Sequence, residues 1–175
     1  MQTGYLFARE MGYDIAIQVD ADGQHDPAEI PALIAPVLKG KADVVIGSRY
    51  IEDRGYITPL LRRVGIFILA HIISFIIGRK RSGVFCKRSG VTDTTSGFRA
   101  VNRQVIEFCA REYPHDYPEP ESLVLFHRAG FTIREIPITM NARYGGRSSI
   151  GQFRSLYYMV KVLLAILIGL LRKLS

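Results

Sequence analysis

The chain has 175 residues, enough for one domain with a substantial core and too few for two of ordinary size. Its 23 Lys and Arg against 16 Asp and Glu give a net charge of +7, which favours anionic partners such as nucleotides, lipid phosphates or an acidic membrane face; no nucleic-acid-binding module is recognisable among the interleaved apolar stretches. Two cysteines, Cys86 and Cys109, have neither a metal-ligand spacing nor a disulfide framework, and Met1-Gln2-Thr3-Gly4-Tyr5 is not a signal peptide, so a reducing, cytoplasmic-side location is expected.

Residues Gln2 to Met11 carry apolar or aromatic side chains at Tyr5, Leu6 and Met11 and meet a stop at Gly12, which reads as the back end of a helix. Ile15, Ile17 and Val19 then alternate as in a strand with one face inward. That strand runs straight into Asp20 and Asp22, then Gly23 and Pro27. Because the chain turns at Gly23, both carboxylates can reach one region. Hard oxygen donors of this kind suit Mg²⁺ or Mn²⁺ with positions left open for phosphate oxygens and water. The same residues also read as a polar loop with Asp26 capping a helix that Pro27 opens.

Ile30, Leu33, Ile34, Val37 and Leu38 predict an amphipathic helix closed by Gly40, and Ala42 to Ile46 a second buried strand. Strand, helix and strand without a hairpin turn predict a right-handed parallel unit, hence a mainly parallel α/β sheet flanked by helices. Ligands then bind at the carboxyl ends of the strands, where Asp20-Asp22 and Ser48-Arg49 sit. Val64 to Gly78 and Val162 to Leu171 are apolar but shorter than the roughly 20 residues of a spanning helix. Arg62, Arg63, Arg79, Lys80 and Arg81 flank the first, and Lys161, Arg172 and Lys173 the second. This suits helices lying on an anionic membrane surface, and equally two core helices with solvated ends. Arg79 to Gly90 reads as a Gly/Ser-rich basic loop.

Asn102 is placed to cap a helix through about Ala110, and Pro120 to open another that ends at Gly130. Phe131 to Met140 reads as a strand, with Pro137 putting it near an edge or a bulge. Ser148 or Ser149 starts a last helix carrying Phe153, Leu156, Tyr157, Val160, Leu163 and Leu164 on one broad face.

Asp20-Ala21-Asp22-Gly23-Gln24-His25-Asp26-Pro27, followed by Ala42 to Tyr50 and by Asp93-Thr94-Thr95-Ser96-Gly97-Phe98-Arg99-Ala100, resembles the family 2 glycosyltransferases. The likeness runs from Gly4 to about Leu164 and is strongest to the polyprenyl-phosphate, dolichol-phosphate mannose synthase-like branch. It implies a GT-A, Rossmann-like fold. It also implies metal-dependent transfer of a sugar from a nucleoside diphosphate sugar donor to a polyprenyl phosphate at the cytoplasmic membrane face, by in-line displacement with inversion. It places Asp20 beside the nucleotide, makes Asp22 the principal ligand of Mg²⁺ or Mn²⁺, and lets Gln24 add to the shell; His25 is left between a hydrogen bond at the helix start and ligation.

A polyprenyl phosphate is already anionic, so its transfer needs cations rather than a general base. Arg49 and Arg99 are the leading candidates, each with a surface charge as the plain alternative. Arg143 and Arg147 resemble the family's basic loop that closes over the diphosphate. Where that loop continues Ser-Lys, this chain has Ser148-Ser149, so phosphate contact falls to Arg147 or to N–H groups at the helix start. Asp116, Glu119 and Glu121 fall where many members keep a base for a hydroxyl acceptor; Glu121 in that role would make a glycan hydroxyl of cell-wall or capsule assembly the acceptor. Otherwise these acids favour the helix start at Pro120. Asp93 is expected to brace the Thr94 to Arg99 loop.

In the resembled family two strands and a helix forming the nucleotide-base pocket precede the first helix. They are absent from this sequence, which is then a fragment, a chain truncated at its start, or one whose missing strands come from elsewhere, and Arg81 to Gly90 reads as an insertion relative to the family. The resemblance therefore implies an amino-terminally truncated catalytic domain over 1–155 and an apolar membrane-interface helix over 156–175. Open strand edges would favour a homo-oligomer and weak donor binding. An inactive membrane-associated interaction module is the remaining reading.

Overall fold

Local chemistry sets most of the element boundaries in the computed structural model, which describes residues 1–52, 60–78, 91–114, 117–141 and 152–171. Helix α1 (Gln2–Glu10) ends at Met11, and the chain leaves through Gly12 at φ 73°, a left-handed conformation that costs glycine little. Strand β1 (Ile15–Gln18) follows, then a 3-10 turn over Pro27–Glu29 and helix α2 (Ile30–Leu38). The Asp26 side chain accepts the Ala28 N–H at 2.9 Å, the cap expected before Pro27. Strand β2 (Val44–Ser48) leads to helix α3 (Leu60–Gly78). After strand β3 (Arg99–Asn102), Asn102 Oδ1 accepts the Val105 N–H and caps helix α4 (Arg103–Arg111). Helix α5 (Pro118–Arg128) starts two residues before the predicted Pro120, with Pro118 in its first turn. Strand β4 (Ile133–Pro137) and helix α6 (Gln152–Leu171) complete the order.

The sheet order is β1-β3-β2-β4. Strands β1 and β2 run in the same direction, as their connection through α2 requires, but they are not neighbours. Strand β3 lies between them and runs against both, so among the described residues only the β2–β4 pairing is parallel. This corrects the expectation of a mainly parallel sheet. Strand β3 is four residues long and passes directly into α4 at Asn102, so no turn residues mark it in the sequence. Strand β4 lies at an edge, as Pro137 predicted.

The reversed direction of β3 brings its leading loop to the site. Arg99, at the start of β3, pairs with Gln18 near the end of β1 and with Ile46 near the end of β2. The loop leading into β3 therefore arrives at the carboxyl ends of the other two strands.

The core lies on both faces of the sheet. Val44, Ile46 and Val101 face Val105, Ile106, Leu123 and Ile73 of the helices, while Val45, Phe98 and Ala100 face Leu33 and Val37 of α2. The alternation along β2, wholly buried, is that of a strand covered on both sides. Burying each such side chain is worth about 1.5–3 kcal/mol.

Helix α3 packs against α5 and α6. It turns Ile66, Leu69, Ala70 and Ile73 inward and leaves Val64, Phe67, Ile68 and Phe75 exposed. Among the described side chains of α6 the buried ones are Val162 and Ile166, whereas Tyr157, Val160 and Leu164 of the predicted face are exposed with Leu167 and Ile168; the side chains of Phe153 and Leu156 lie outside those described. The predicted face is too broad, because a helix apolar on nearly all sides carries no periodic contrast to say which stripe is buried. Among the described residues no helix is long and apolar enough to cross a membrane.

Candidate active site

The Asp20–Asp22 turn is shaped by its own side chains. Asp22 Oδ1 accepts the Gln24 N–H at 3.1 Å, closing an Asx turn over Gly23, and the Asp20 N–H donates to His25 Nδ1 at 3.3 Å. Accepting at Nδ1 leaves the His25 proton on Nε2. His25 is only 5% exposed and stacks on Phe98, ring centroids 4.8 Å apart. Burial pushes its pKa below the ordinary histidine value, against the pull of the Asp20 and Asp22 carboxylates. Between the two readings left for His25, the geometry gives it a hydrogen bond inside the turn, while Asp26 takes the helix cap. A backbone bond from Asn141 N–H to Gln24 O at 2.8 Å and a bridge between His25 and Met140 tie the turn down from the other side.

Asp20 is exposed and Asp22 half-buried. Beneath Asp20 lies Gly97: a Cβ there would stand 2.8 and 2.9 Å from the two Asp20 carboxylate oxygens. Among the described residues no three His, Cys, Asp or Glu form a ready-made metal cluster. Two carboxylates on a solvent-facing turn, with Gln24 beside them, fit a hard divalent cation held by few protein ligands and completed by water and phosphate oxygens. They do not fit a cation caged by protein alone.

The second segment is the end of β2. Arg49 is 7% exposed and gripped by the fully buried Asp93: Nε reaches Oδ2 and Nη2 reaches Oδ1, both at 2.6 Å, and the Arg49 N–H donates to Oδ2 at 3.1 Å. Nη2 also donates to Thr95 Oγ1 at 2.8 Å, and Nη1 lies 3.9 Å from Met140 Sδ. Asp93 thus braces its loop as expected, and does so through Arg49. Ser96 Oγ donates to Gly47 O at 2.6 Å, fastening the loop to β2 once more.

Arg99, next in the chain to Phe98 and turned to the other face of the sheet, is 2% exposed. Its Nε donates to Ser96 O, Nη1 to Ser122 Oγ and Nη2 to Glu119 O, at 2.7–2.9 Å. It braces the loop against the start of α5. Its charge reaches the buried Cys109 and Tyr113, where burial pushes each pKa up to about 12 and Arg99 opposes the rise. Glu121 Oε1 accepts the Tyr117 N–H at 3.0 Å, at the start of the same helix. The structure therefore brings Asp20, Asp22, Gln24 and Arg49 to one end of the sheet, with Arg99 behind the loop and Glu121 at a helix start. Arg143, Arg147 and Asp116 lie outside the described residues.

Sequence reasoning missed Glu135. Its carboxylate accepts the N–H groups of Thr92 and Asp93 and the Thr92 hydroxyl. The available signal was a lone acid inside the strand Ile133-Arg134-Glu135-Ile136.

The chain has counterparts among known proteins. Residues 6–109 match the model of glycosyl transferase family 2. The chain is 32% identical over 139 residues to the UDP-N-acetylglucosamine–dolichyl-phosphate N-acetylglucosaminyltransferase of Methanococcus voltae, covering 78% of this chain and 51% of that protein. It is 31% identical over 152 residues to the polyprenol monophosphomannose synthase of Mycolicibacterium smegmatis, covering 85% and 53%. With the undecaprenyl-phosphate mannosyltransferase of Micrococcus luteus it shares 28% identity over 152 residues, covering 85% and 58%. The chain thus spans between half and three fifths of the length of these curated relatives. The turn, the strand end and the loop that meet at one end of the sheet all fall inside the matched span, and the chain belongs to glycosyl transferase family 2.

Proposed function

We propose that this chain carries the sugar-transfer site of an enzyme that moves a sugar from a nucleoside diphosphate donor to a polyprenyl phosphate, with Mg²⁺ or Mn²⁺, at the cytoplasmic face of a membrane. The observation that carries this reading is the Asp20–Asp22 turn seated on Gly97, beside the buried Arg49–Asp93 pair. A divalent cation bound there supplies charge neutralisation to the departing diphosphate. Asp22, Asp20 and Gln24 would hold it. Arg49, oriented by Asp93 and Thr95, adds a fixed guanidinium, its charge balanced by Asp93, at the same end of the sheet, and Arg99 keeps the loop in place behind it. Arg143 and Arg147 remain candidates for the diphosphate.

Two considerations favour this acceptor. The named relatives use dolichyl, polyprenol or undecaprenyl phosphates. Glu121 is engaged at a helix start, which favours an acceptor oxygen that is already anionic over a glycan hydroxyl needing a base. The exposed apolar residues of α3 and α6, with Arg63 exposed on one and Lys161 standing 4.6 Å over the Tyr157 ring on the other, suit a lipid surface of negative charge.

The test is calorimetric titration of the purified chain with UDP- and GDP-sugars, with and without Mn²⁺, alongside Asp22→Ala, followed by assay against a polyprenyl phosphate. Metal-dependent binding lost in Asp22→Ala is expected. Donor binding that ignores both the metal and Asp22 would overturn the reading.

A further inference from the structure

We propose that Glu135, on the edge strand β4, is a positioning residue for Arg49: it pins the start of the 92–98 loop so that Asp93 stands where it grips the guanidinium. The proposal rests on the reading of Arg49 as a cation of the transfer site. Glu135 Oε1 accepts the N–H groups of Thr92 and Asp93 at 3.0 and 2.8 Å, and Oε2 accepts the Thr92 N–H and hydroxyl, both at 2.9 Å. From Asp93 the path continues to Arg49 through the three bonds of its carboxylate. A second path runs through hydroxyls. The Thr92 hydroxyl has one proton, given to Glu135, so the Ser48 hydroxyl 3.0 Å away donates to Thr92 Oγ1, and Ser48 Oγ faces the Tyr50 N–H at 3.4 Å. Ser48 and Tyr50 are the chain neighbours of Arg49. Both paths therefore end on the same short segment.

The register makes the grip a fixed one. Parallel pairing sets Glu135 opposite Ile46 and Pro137 opposite Ser48, and the Ile138 N–H donates to Ser48 O at 3.0 Å. A side chain rooted in β4 thus spans to the loop that lies over the end of β2. The donors converging on Glu135 call for a group that only accepts; a glutamine would turn its own N–H groups on them. Burial, with Asp93 adding to it, pushes the Glu135 carboxyl above the usual range, against its backbone hydrogen bonds. Its charge is thus held at some expense of stability, as expected where placement of another residue is what matters.

The experiment follows amide hydrogen exchange at Thr92, Asp93 and Arg49 in the purified chain, in Glu135→Gln, and in Asp93→Asn with and without Glu135→Gln, with calorimetric titration of UDP and GDP plus Mn²⁺ on each. Glu135→Gln is expected to speed exchange at Asp93 and Arg49 about tenfold while Val44 and Val45 keep their protection, and to weaken nucleotide binding about tenfold. In the Asp93→Asn background the same change should alter binding less than about twofold, because both residues act on Arg49 in series. Unchanged exchange at Arg49, equal loosening of all of β2 and β4, or additive losses of affinity would overturn the proposal. If Glu135→Gln does not fold, Thr92→Val removes both hydroxyl bonds, to Glu135 and from Ser48, while keeping the Thr92 N–H bond, and should raise exchange at Arg49 about twofold. A wild-type chain that binds neither nucleotide would sink the transfer reading while the exchange data still decide the role of Glu135.

Discussion

Gly97 shows how a residue without a side chain shapes the chemistry of a carboxylate. A methyl group there would stand within 2.9 Å of both Asp20 oxygens, so Gly97→Ala has to move Asp20 rather than distort the loop's backbone. We expect metal and donor affinity to fall by about tenfold or more, with the melting temperature little changed, as calorimetry and thermal unfolding would show. Glu121→Ala should act the other way. Losing the acceptor for the Tyr117 N–H costs about 1 kcal/mol of stability and leaves transfer to a polyprenyl phosphate within a few-fold of wild type. A loss of transfer of about a hundredfold or more would instead mark Glu121 as a base. The caps at Asp26 and Asn102 were legible in the sequence because a cap is made within two or three residues. The partners of Arg49 and Arg99 were not. Asp93 lies 44 residues from Arg49, and Ser122 lies 23 from Arg99, separations on which no local pattern bears.

Strand β3 is the element that sequence periodicity could not supply, and its direction decides where the site forms. A strand of four residues carries two inward positions at most, too few to separate alternation from chance, and the Asn102 cap signals the start of α4 alone. Strand β4 was legible, with its edge position, yet its acidic member escapes notice because, next to Arg134, it reads as solvent-facing. Glu135 gives this element a pH signature. Its folded pKa lies above the ordinary value of 4.5, so between those two values the folded chain binds more protons than the unfolded one. Stability contributed by this group therefore falls as pH rises through that window, and is greater below it. Urea unfolding followed across the window should show that part of the slope in wild type and not in Glu135→Gln.

For the whole molecule, the apolar residues left outside on α3 and α6 are as informative as those inside. Phe67, Phe75, Leu167 and Ile168 are each more than half exposed, an apolar surface that calls for a cover. Phe67→Ser combined with Ile168→Ser is expected to reduce flotation with anionic vesicles several-fold while leaving the melting temperature within a few degrees, since neither side chain joins the core. Binding that is unaltered by the double change, or equal on neutral and anionic vesicles, would point to another occupant. The sequence announced both helices and their apolarity, and packing against the sheet chose which stripe went in. Glu135 has a bearing at this scale too. Because it takes hold of the chain at Thr92 and Asp93, it anchors the 92–98 loop at its first residues from the edge of the sheet. The clasp thus makes the placement of Arg49 a property of the outermost strand of the sheet rather than of its own neighbourhood in the sequence.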